Sequence, residues 1–123
     1  MIEVYSENIE VGANSAVPFQ NVALKKGCSA VLSGTGTINL NKCGVYLVSV
    51  DATAGTSTTI QLYKNGIAQP QAQATGTAIS FSTLVQVNEN NSCCPCDSAT
   101  ALQVINTTAG TFTNINCCVT KVC

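Results

Sequence analysis

The sequence contains no histidine at all. Histidine is the side chain that most often serves as a general base near neutral pH, so its absence removes the commonest device of acid–base catalysis. The six acidic residues are scattered without a pairing pattern. There is also no serine nucleophile elbow, and no glycine-rich phosphate loop followed by a helix. We therefore expect a protein that is not an enzyme and binds no cofactor.

Charge is also scarce, at 9% of 123 residues with a net charge of −1. Five basic residues cannot build a phosphate-neutralising stripe, so we expect no nucleic-acid partner. No segment carries about 18 consecutive apolar residues, so no membrane span is expected. The stretch MIEVYSENIEV lacks the basic start and apolar run of a signal peptide. A surface so poor in charge is easier to explain if partners cover much of it.

Thr, Val and Ile are abundant, whereas Ala, Leu, Glu and Lys at helical spacing are missing, which favours strands over helices. The alternation predicts ten strands, near 2–11, 17–24, 29–33, 37–41, 44–54, 58–64, 67–74, 78–88, 100–107 and 112–122. Short strands with frequent turns indicate a sandwich or a closed barrel. Residues 1–14 are expected to form an N-terminal strand or attachment arm, and residues 15–123 the main domain.

Four local patterns are specific enough to predict geometry. The segment GVYLVSVDAT, residues 44–53, is apolar on both faces, so we expect a central strand that is covered on both sides. Asn65-Gly66 supplies the positive φ angles of a type I′ hairpin turn. Pro70 predicts an edge strand, because proline cannot donate a ladder hydrogen bond. The stretch SGTGT, residues 33–37, is interpreted as a β-turn.

Three landmarks occur in a recognisable order: the Gly44-Val45-Tyr46 strand entry, the Lys64-Asn65-Gly66 hairpin, and the apolar strand FSTLVQV. In this order the sequence resembles the jelly roll of the tumour necrosis factor and complement globular-head superfamily, over roughly residues 15–122. It is similar in style to the bacterial members at the tips of collagen-like spore-surface proteins and in phage virion proteins. The departures are the eight cysteines and the loop ENNSCCPCDSAT.

The resemblance implies an all-β jelly-roll sandwich of eight to ten antiparallel strands without significant helix. It also implies a compact homotrimer, because family jelly rolls pack three around an axis through apolar and aromatic residues of one sheet. The candidates for this contact are Tyr46, Phe81 and Phe112. Some family members bind calcium near that axis. Only Asp51, Glu89 and Asp97 could serve here, a carboxylate density too low to expect a metal.

The cysteines allow four interpretations. They are Cys28, Cys43, Cys93, Cys94, Cys96, Cys117, Cys118 and Cys123. Zinc and iron–sulfur sites use thiolates, but the sequences CCPC and CC lack the usual spacing, and adjacent strand residues point to opposite faces. A thioredoxin-like centre would need a helix after CCPC to lower the thiol pKa, and none is predicted.

Disulfides are the preferred interpretation, and each could contribute about 2–4 kcal/mol to stability. We expect the loop 93–96 to be stapled to Cys117, Cys118 or Cys123. A second bridge could join Cys28 to Cys43. The remaining interpretation is that several cysteines are buried, reduced and act as small hydrophobic residues. Cys117 is the clearest candidate for that role, because it alternates with the apolar residues on either side of it.

The sequence therefore favours a structural virion protein, namely a trimeric jelly roll used as a capsid decoration protein or as the head of a fibre. A short jelly roll without signal peptide or collagen-like stalk fits that role, with capsid or other virion proteins as partners. The alternative is a spore-surface or cell-surface module that binds carbohydrate or a receptor through its distal loops.

Overall fold

In the computed structural model, which describes residues 1–27, 29–87 and 100–122, the chain is all-β. The strands are β1 (Ile2–Val11), β2 (Ser15–Ala16), β3 (Asn21–Lys25), β4 (Ala30–Ser33), β5 (Thr37–Leu40), β6 (Gly44–Lys64), β7 (Ile67–Val87), β8 (Thr100–Asn106) and β9 (Gly110–Lys121). The described part of the chain includes no helix that is long and apolar enough to cross a membrane.

β6 and β7 are each 21 residues long, and each runs through both layers of a sandwich. The first layer has the order β3, β1, β9, residues 44–54 of β6 and residues 78–87 of β7. The second layer has the order β4, β5, β8, residues 58–64 of β6 and residues 67–76 of β7, with β2 beside β8. All pairings are antiparallel. The predicted jelly roll is confirmed.

The core lies between the two layers, where alternate residues of the strands point inward. The largest fully buried side chains are Tyr46, Phe19, Phe112, Ile2, Leu40, Ile60, Leu62, Leu102, Ile115, Val4, Val17 and Val48. Each such side chain contributes about 1.5–3 kcal/mol when it is fully removed from water. One continuous apolar cluster joins residues of both layers, so the sandwich is a single unit.

Two of the predicted strand boundaries are absent. The predicted pairs 44–54 with 58–64, and 67–74 with 78–88, are single strands that bend from one layer to the other. The ladder shifts register between Thr53 and Thr58, so the small residues between them let β6 bend without leaving the strand conformation.

The local turn predictions are confirmed. Asn65 and Gly66 have φ values of 52° and 81°, and Lys64 pairs with Ile67 across the turn. Residues 34–36 form a turn between the paired ends of β4 and β5, with Gly34 at a φ of 63°. β7, which contains Pro70, pairs only with β6 among the described residues and is therefore an edge strand.

The first strand is an integral part of the sandwich. β1 lies between β3 and β9: it pairs with β9 from Ile2 to Val11, and Ile2–Tyr5 also pair with β3. Ile2 and Val4 are fully buried, and Ser6 is buried as well. The Ser6 hydroxyl donates to the Pro18 carbonyl at 2.5 Å and accepts from the Gln20 N–H at 2.8 Å. Of the two predicted roles of residues 1–14, the structure therefore shows a strand over residues 2–11, and both backbone edges are paired only over residues 2–5.

Candidate interaction surfaces

Two of the three predicted interface aromatics lie inside a single chain. Tyr46 and Phe112 are fully buried, and the Tyr46 hydroxyl donates to the Lys42 carbonyl at 2.7 Å. Burial raises the pKa of Tyr46, although the hydrogen bonds to the backbone act in the opposite direction. These two rings fill the core and leave no surface for a neighbouring copy. Phe81 is half-buried against the core and keeps part of its ring exposed.

The outward face of the first layer carries an exposed leucine pair. Leu47 and Leu84 lie directly opposite each other in the β6–β7 ladder and are 39% and 60% exposed. Such cross-strand neighbours have Cβ atoms about 5 Å apart, so their side chains form one apolar patch. The sequence predicts cover on both sides of the segment 44–53. Within one chain, only the side of Tyr46 and Val48 is covered.

β7 forms one flank of the sandwich and contains no charged residue in its 21 positions. Its two halves differ. In the half at 67–76 the register breaks opposite Pro70, and the amide of Gln73 donates to the Pro70 carbonyl at 3.2 Å. The half at 78–87 is an unbroken ladder with residues 44–53 of β6. Only this second half presents a regular, open edge of backbone groups.

The middle of the first layer is polar. Asp51 lies opposite Ser80, whose hydroxyl donates to the carboxylate at 2.7 Å. An open depression of about 410 Å³ adjoins this pair, lined by Asp51, Ala52, Thr53, Ala78, Ile79, Ser80 and Asn114. Among the described residues that line it, Asp51 is the one carboxylate.

The outward face of the second layer is uncharged and rich in amides and hydroxyls. It carries Thr37, Asn39, Thr59, Gln61, Tyr63, Gln73, Thr75, Ala101 and Gln103. The Gln103 amide donates to the Thr37 hydroxyl at 3.3 Å, and the Gln61 amide donates to the Gln69 carbonyl at 3.2 Å. These bonds hold the amide planes in place beside the half-exposed ring of Tyr63.

Cys117 and Cys118 are both free thiols. Cys117 is fully buried in the core, as its alternation predicted, whereas Cys118 lies on the outward face between Glu3 and Ser49. Desolvation, together with the neighbouring Cys118, raises the pKa of the Cys117 thiol to about 12. Because both thiols are free, the predicted disulfide from loop 93–96 to Cys117 or Cys118 is wrong.

The other cysteines are described only in part. Cys43, in the turn before β6, is disulfide-bonded and does not titrate as a thiol. Cys28, Cys93, Cys94, Cys96 and Cys123 lie outside the described residues, so the pairing of Cys28 with Cys43 and the bridge to Cys123 stay predictions.

Within residues 1–27, 29–87 and 100–122, no group of three or more metal-ligating side chains comes together. Of the three carboxylates considered for calcium, Asp51 is at the depression, whereas Glu89 and Asp97 lie outside the described residues.

Solved structures resemble this chain, although no family model and no curated protein matches it. The globular domain of the zebrafish complement 1qA protein has a TM-score of 0.70 at 10% identity, over 99% of this chain and 96% of that one. The PRD1 vertex protein P5 has a TM-score of 0.68 at 14% identity, over 99% of this chain and 96% of that one. Eiger TNF from S. frugiperda has a TM-score of 0.62 at 14% identity, over 99% of this chain and 92% of that one. These identities show the fold alone, a jelly roll of the predicted tumour necrosis factor and complement type.

Proposed function

We propose that this chain is a non-enzymatic structural protein that assembles as a homotrimer on a phage particle, as a capsid decoration protein or as the head of a fibre. The observation that carries the proposal is the second half of β7. Soluble proteins protect edge strands with lysine, proline, bulges or a covering element. Residues 78–87 contain no lysine, proline or bulge of their own, and the Lys64 ammonium reaches this strand only at its end, at the Gln86 carbonyl. We infer that a sister copy covers the rest of this edge.

The leucine pair beside that edge supports the same arrangement. Leu47 and Leu84 together expose about as much surface as one whole leucine side chain. Its burial would contribute about 2 kcal/mol per contact. A flank of one copy that packs against the face of the next is a heterologous contact, and three such contacts close a ring. This geometry supplies the cover that the segment 44–50 lacks on its outward side.

The assignment to a virion rests on composition and fold. A surface with few charges suits a protein held in an assembly more than one that diffuses alone. One structure of similar fold is a vertex protein of PRD1, and at 14% identity that likeness concerns the fold.

The interface is tested by adding one carboxylate to it. We expect Leu84→Glu to convert the trimer to a monomer in analytical ultracentrifugation, because a buried unpaired charge costs several kcal/mol. Gln103→Glu is the matched control, since it adds the same charge on the outward face of the second layer. A Leu84→Glu protein that remains trimeric, or a control that dissociates equally, would place the contact elsewhere.

The virion role is tested on particles. Phage particles purified on a density gradient from a host that carries this gene should contain the chain in fixed ratio to the major capsid protein, as measured by quantitative mass spectrometry. Deletion of the gene should leave assembled particles without it. A chain that stays in the soluble fraction while complete particles form would refute the role.

A second candidate function is recognition of a neutral carbohydrate at a cell or spore surface. The uncharged amides, hydroxyls and half-exposed Tyr63 of the second layer favour it, because sugars offer hydroxyl groups to amides and apolar ring faces to aromatic residues. A glycan array with the wild type and Tyr63→Ala tests this candidate. Binding by the wild type that Tyr63→Ala abolishes would favour it, and an array without signal would dismiss it.

A further inference from the structure

Every lysine of the chain lies at one end of the sandwich, although the five are spread from position 25 to position 121. This end is called the lysine end. It comprises Met1, Lys25, Lys26, Lys42, Lys64, Ile67, Lys121 and Val122. β1 and β6 begin there, and β3 and β9 finish there.

Backbone pairing brings these residues together. The Met1 ammonium donates to the Lys26 carbonyl at 2.9 Å, and Lys25 lies opposite Ile2. On the same layer, Lys121 lies opposite Tyr46, whose hydroxyl reaches the Lys42 carbonyl.

The second layer contributes the fifth lysine. The Lys64 ammonium donates to the Gln86 carbonyl at 2.7 Å, and Gln86 lies opposite Val45 at the start of β6. The Val122 N–H in turn donates to the Val45 carbonyl at 2.8 Å. The end therefore carries five lysine residues and the terminal amine, with Lys25 and Lys121 two ladder rows apart on the first layer.

Of the described carboxylates, Glu3 lies at this end beside the Ile2–Lys25 pair, and the others lie farther along the strands. Asp51 lies five residues along β6 from Tyr46, about 17 Å away, and Glu10 lies eight residues along β1 from Ile2, about 26 Å away. Both distances exceed the Debye length of about 8 Å at physiological salt. Glu3 is the nearest acid, one residue from Ile2, and no described lysine forms an ion pair. Glu89, Asp97 and the terminal carboxyl of Cys123 lie outside the described residues.

Exposed apolar side chains accompany the lysines. Ile67, at the tip of the β6–β7 hairpin, is 68% exposed, and Val122, just after β9, is 51% exposed. The opposite end has neither feature. Its turns at 12–14, 34–36, 55–57, 76–77 and 107–109 contain only small or polar uncharged residues. The molecule therefore has one end with five lysines and exposed aliphatic side chains, and an opposite end, called the neutral end, whose turns carry no charge and whose nearest described charge is Glu10 near the end of β1. The fold itself does not require this polarity.

We propose that the lysine end is a docking surface for an acidic, partly apolar protein surface. Positive charge attracts carboxylates over several ångströms and speeds encounter, while Ile67 and Val122 add short-range apolar contact. Binding to an acidic polypeptide does not depend on the trimer. The further statement that this end faces a phage particle rests on the proposed function. A trimer would place three lysine ends side by side.

A protein partner fits better than a phosphate polymer or a lipid surface. All five basic residues are lysine, whereas bidentate recognition of phosphate favours the planar fork of arginine. Single-stranded nucleic acids also require aromatic stacking platforms, and membrane interfaces favour tryptophan and tyrosine. The exposed large apolar residues at this end are aliphatic, and the chain has no tryptophan.

The experiment measures binding of the full chain to immobilised polyglutamate and to a glutamate–tyrosine copolymer. We expect binding that weakens as salt rises from about 0.05 M to about 0.5 M. The copolymer should bind more tightly than polyglutamate, and Ile67→Ser with Val122→Ser should remove that difference. Lys25→Gln with Lys26→Gln should weaken binding about fivefold. The control, Thr35→Glu with Thr56→Glu, changes net charge equally at the neutral end and should bind as the wild type does.

Equal weakening by the lysine pair and by the control would mean that net charge alone acts, and would overturn the proposal. Tighter binding to double-stranded DNA, or to phosphatidylcholine vesicles that contain phosphatidylserine, than to either polypeptide would assign the end to a phosphate polymer or to a lipid surface instead. If the wild type is trimeric but binds neither polypeptide, this inference is refuted and the proposed function still stands.

Discussion

Replacement of Ser6 by alanine tests whether the first strand is a structural strand. The buried Ser6 hydroxyl joins β1 to the segment at 17–20 through two hydrogen bonds, one donated to Pro18 and one accepted from Gln20. Ser6→Ala leaves a carbonyl and an N–H without their partner. Each net hydrogen bond contributes about 1 kcal/mol, and a buried group left unsatisfied costs about 1–3 kcal/mol. We therefore expect a loss of roughly 2–3 kcal/mol in the free energy of unfolding.

Urea unfolding at fixed protein concentration measures the loss, and thermal unfolding should show a fall in Tm of roughly 8–12 °C for a chain of this length. Ser15→Ala is the matched control, because the exposed Ser15 hydroxyl makes only one 3.4 Å bond to Ala13. It should change stability by less than about 0.5 kcal/mol. If Ser6→Ala were as mild as Ser15→Ala, β1 would behave as a loosely held arm, and the account of the first layer would fail.

Three further predictions concern single sites. Gly110→Ala should destabilise the fold by roughly 1–3 kcal/mol in urea unfolding, since its Cβ would lie 2.8 Å from the hydroxyl of buried Thr58. Gly12→Ala is the control and should have little effect, because its Cβ would lie 3.5 Å from its nearest neighbour. Equal effects of the two substitutions would contradict this packing. The pKa of Cys117 is raised from 9.0 to about 12 in the folded chain, so as pH rises the unfolded chain releases this proton first. The free energy of unfolding should therefore fall between pH 9.0 and about 12, and should fall less in Cys117→Ala. Parallel pH profiles of the two proteins would refute this prediction. Reductant should lower the Tm of the wild type but not of Cys43→Ser, and an equal response of both proteins would show that this disulfide is not the one that stabilises the fold.

Features that depend on a few neighbouring residues could be predicted from the sequence. Asn65-Gly66 specifies its turn because few other residues adopt positive φ, and Pro70 marks an edge because it lacks an N–H. Alternation located the strands in the same way. The bends inside β6 and β7 were not predicted, because a glycine in a bent strand and a glycine in a turn look alike in sequence.

The residues of the proposed interface could not be identified from the sequence, since both faces of the segment 44–50 are apolar. Alternation separates Tyr46 from Leu47, but it does not say which of the two faces the second layer. The aromatic ring was the natural choice for a contact, and the structure places it in the core. The lysine end depends on topology, because Lys25 and Lys121 share one end of the first layer only when β1 pairs with both of the strands that carry them.

The mass of the native protein at micromolar concentration, measured by sedimentation equilibrium, is the most direct test of the claim that sister copies cover the open flank of β7. The account predicts a species of about 38 kDa, three times the 12.7 kDa chain, that persists on dilution through the micromolar range. A single species at 12.7 kDa, with residues 78–87 exchanging their outer amide protons freely, would contradict it.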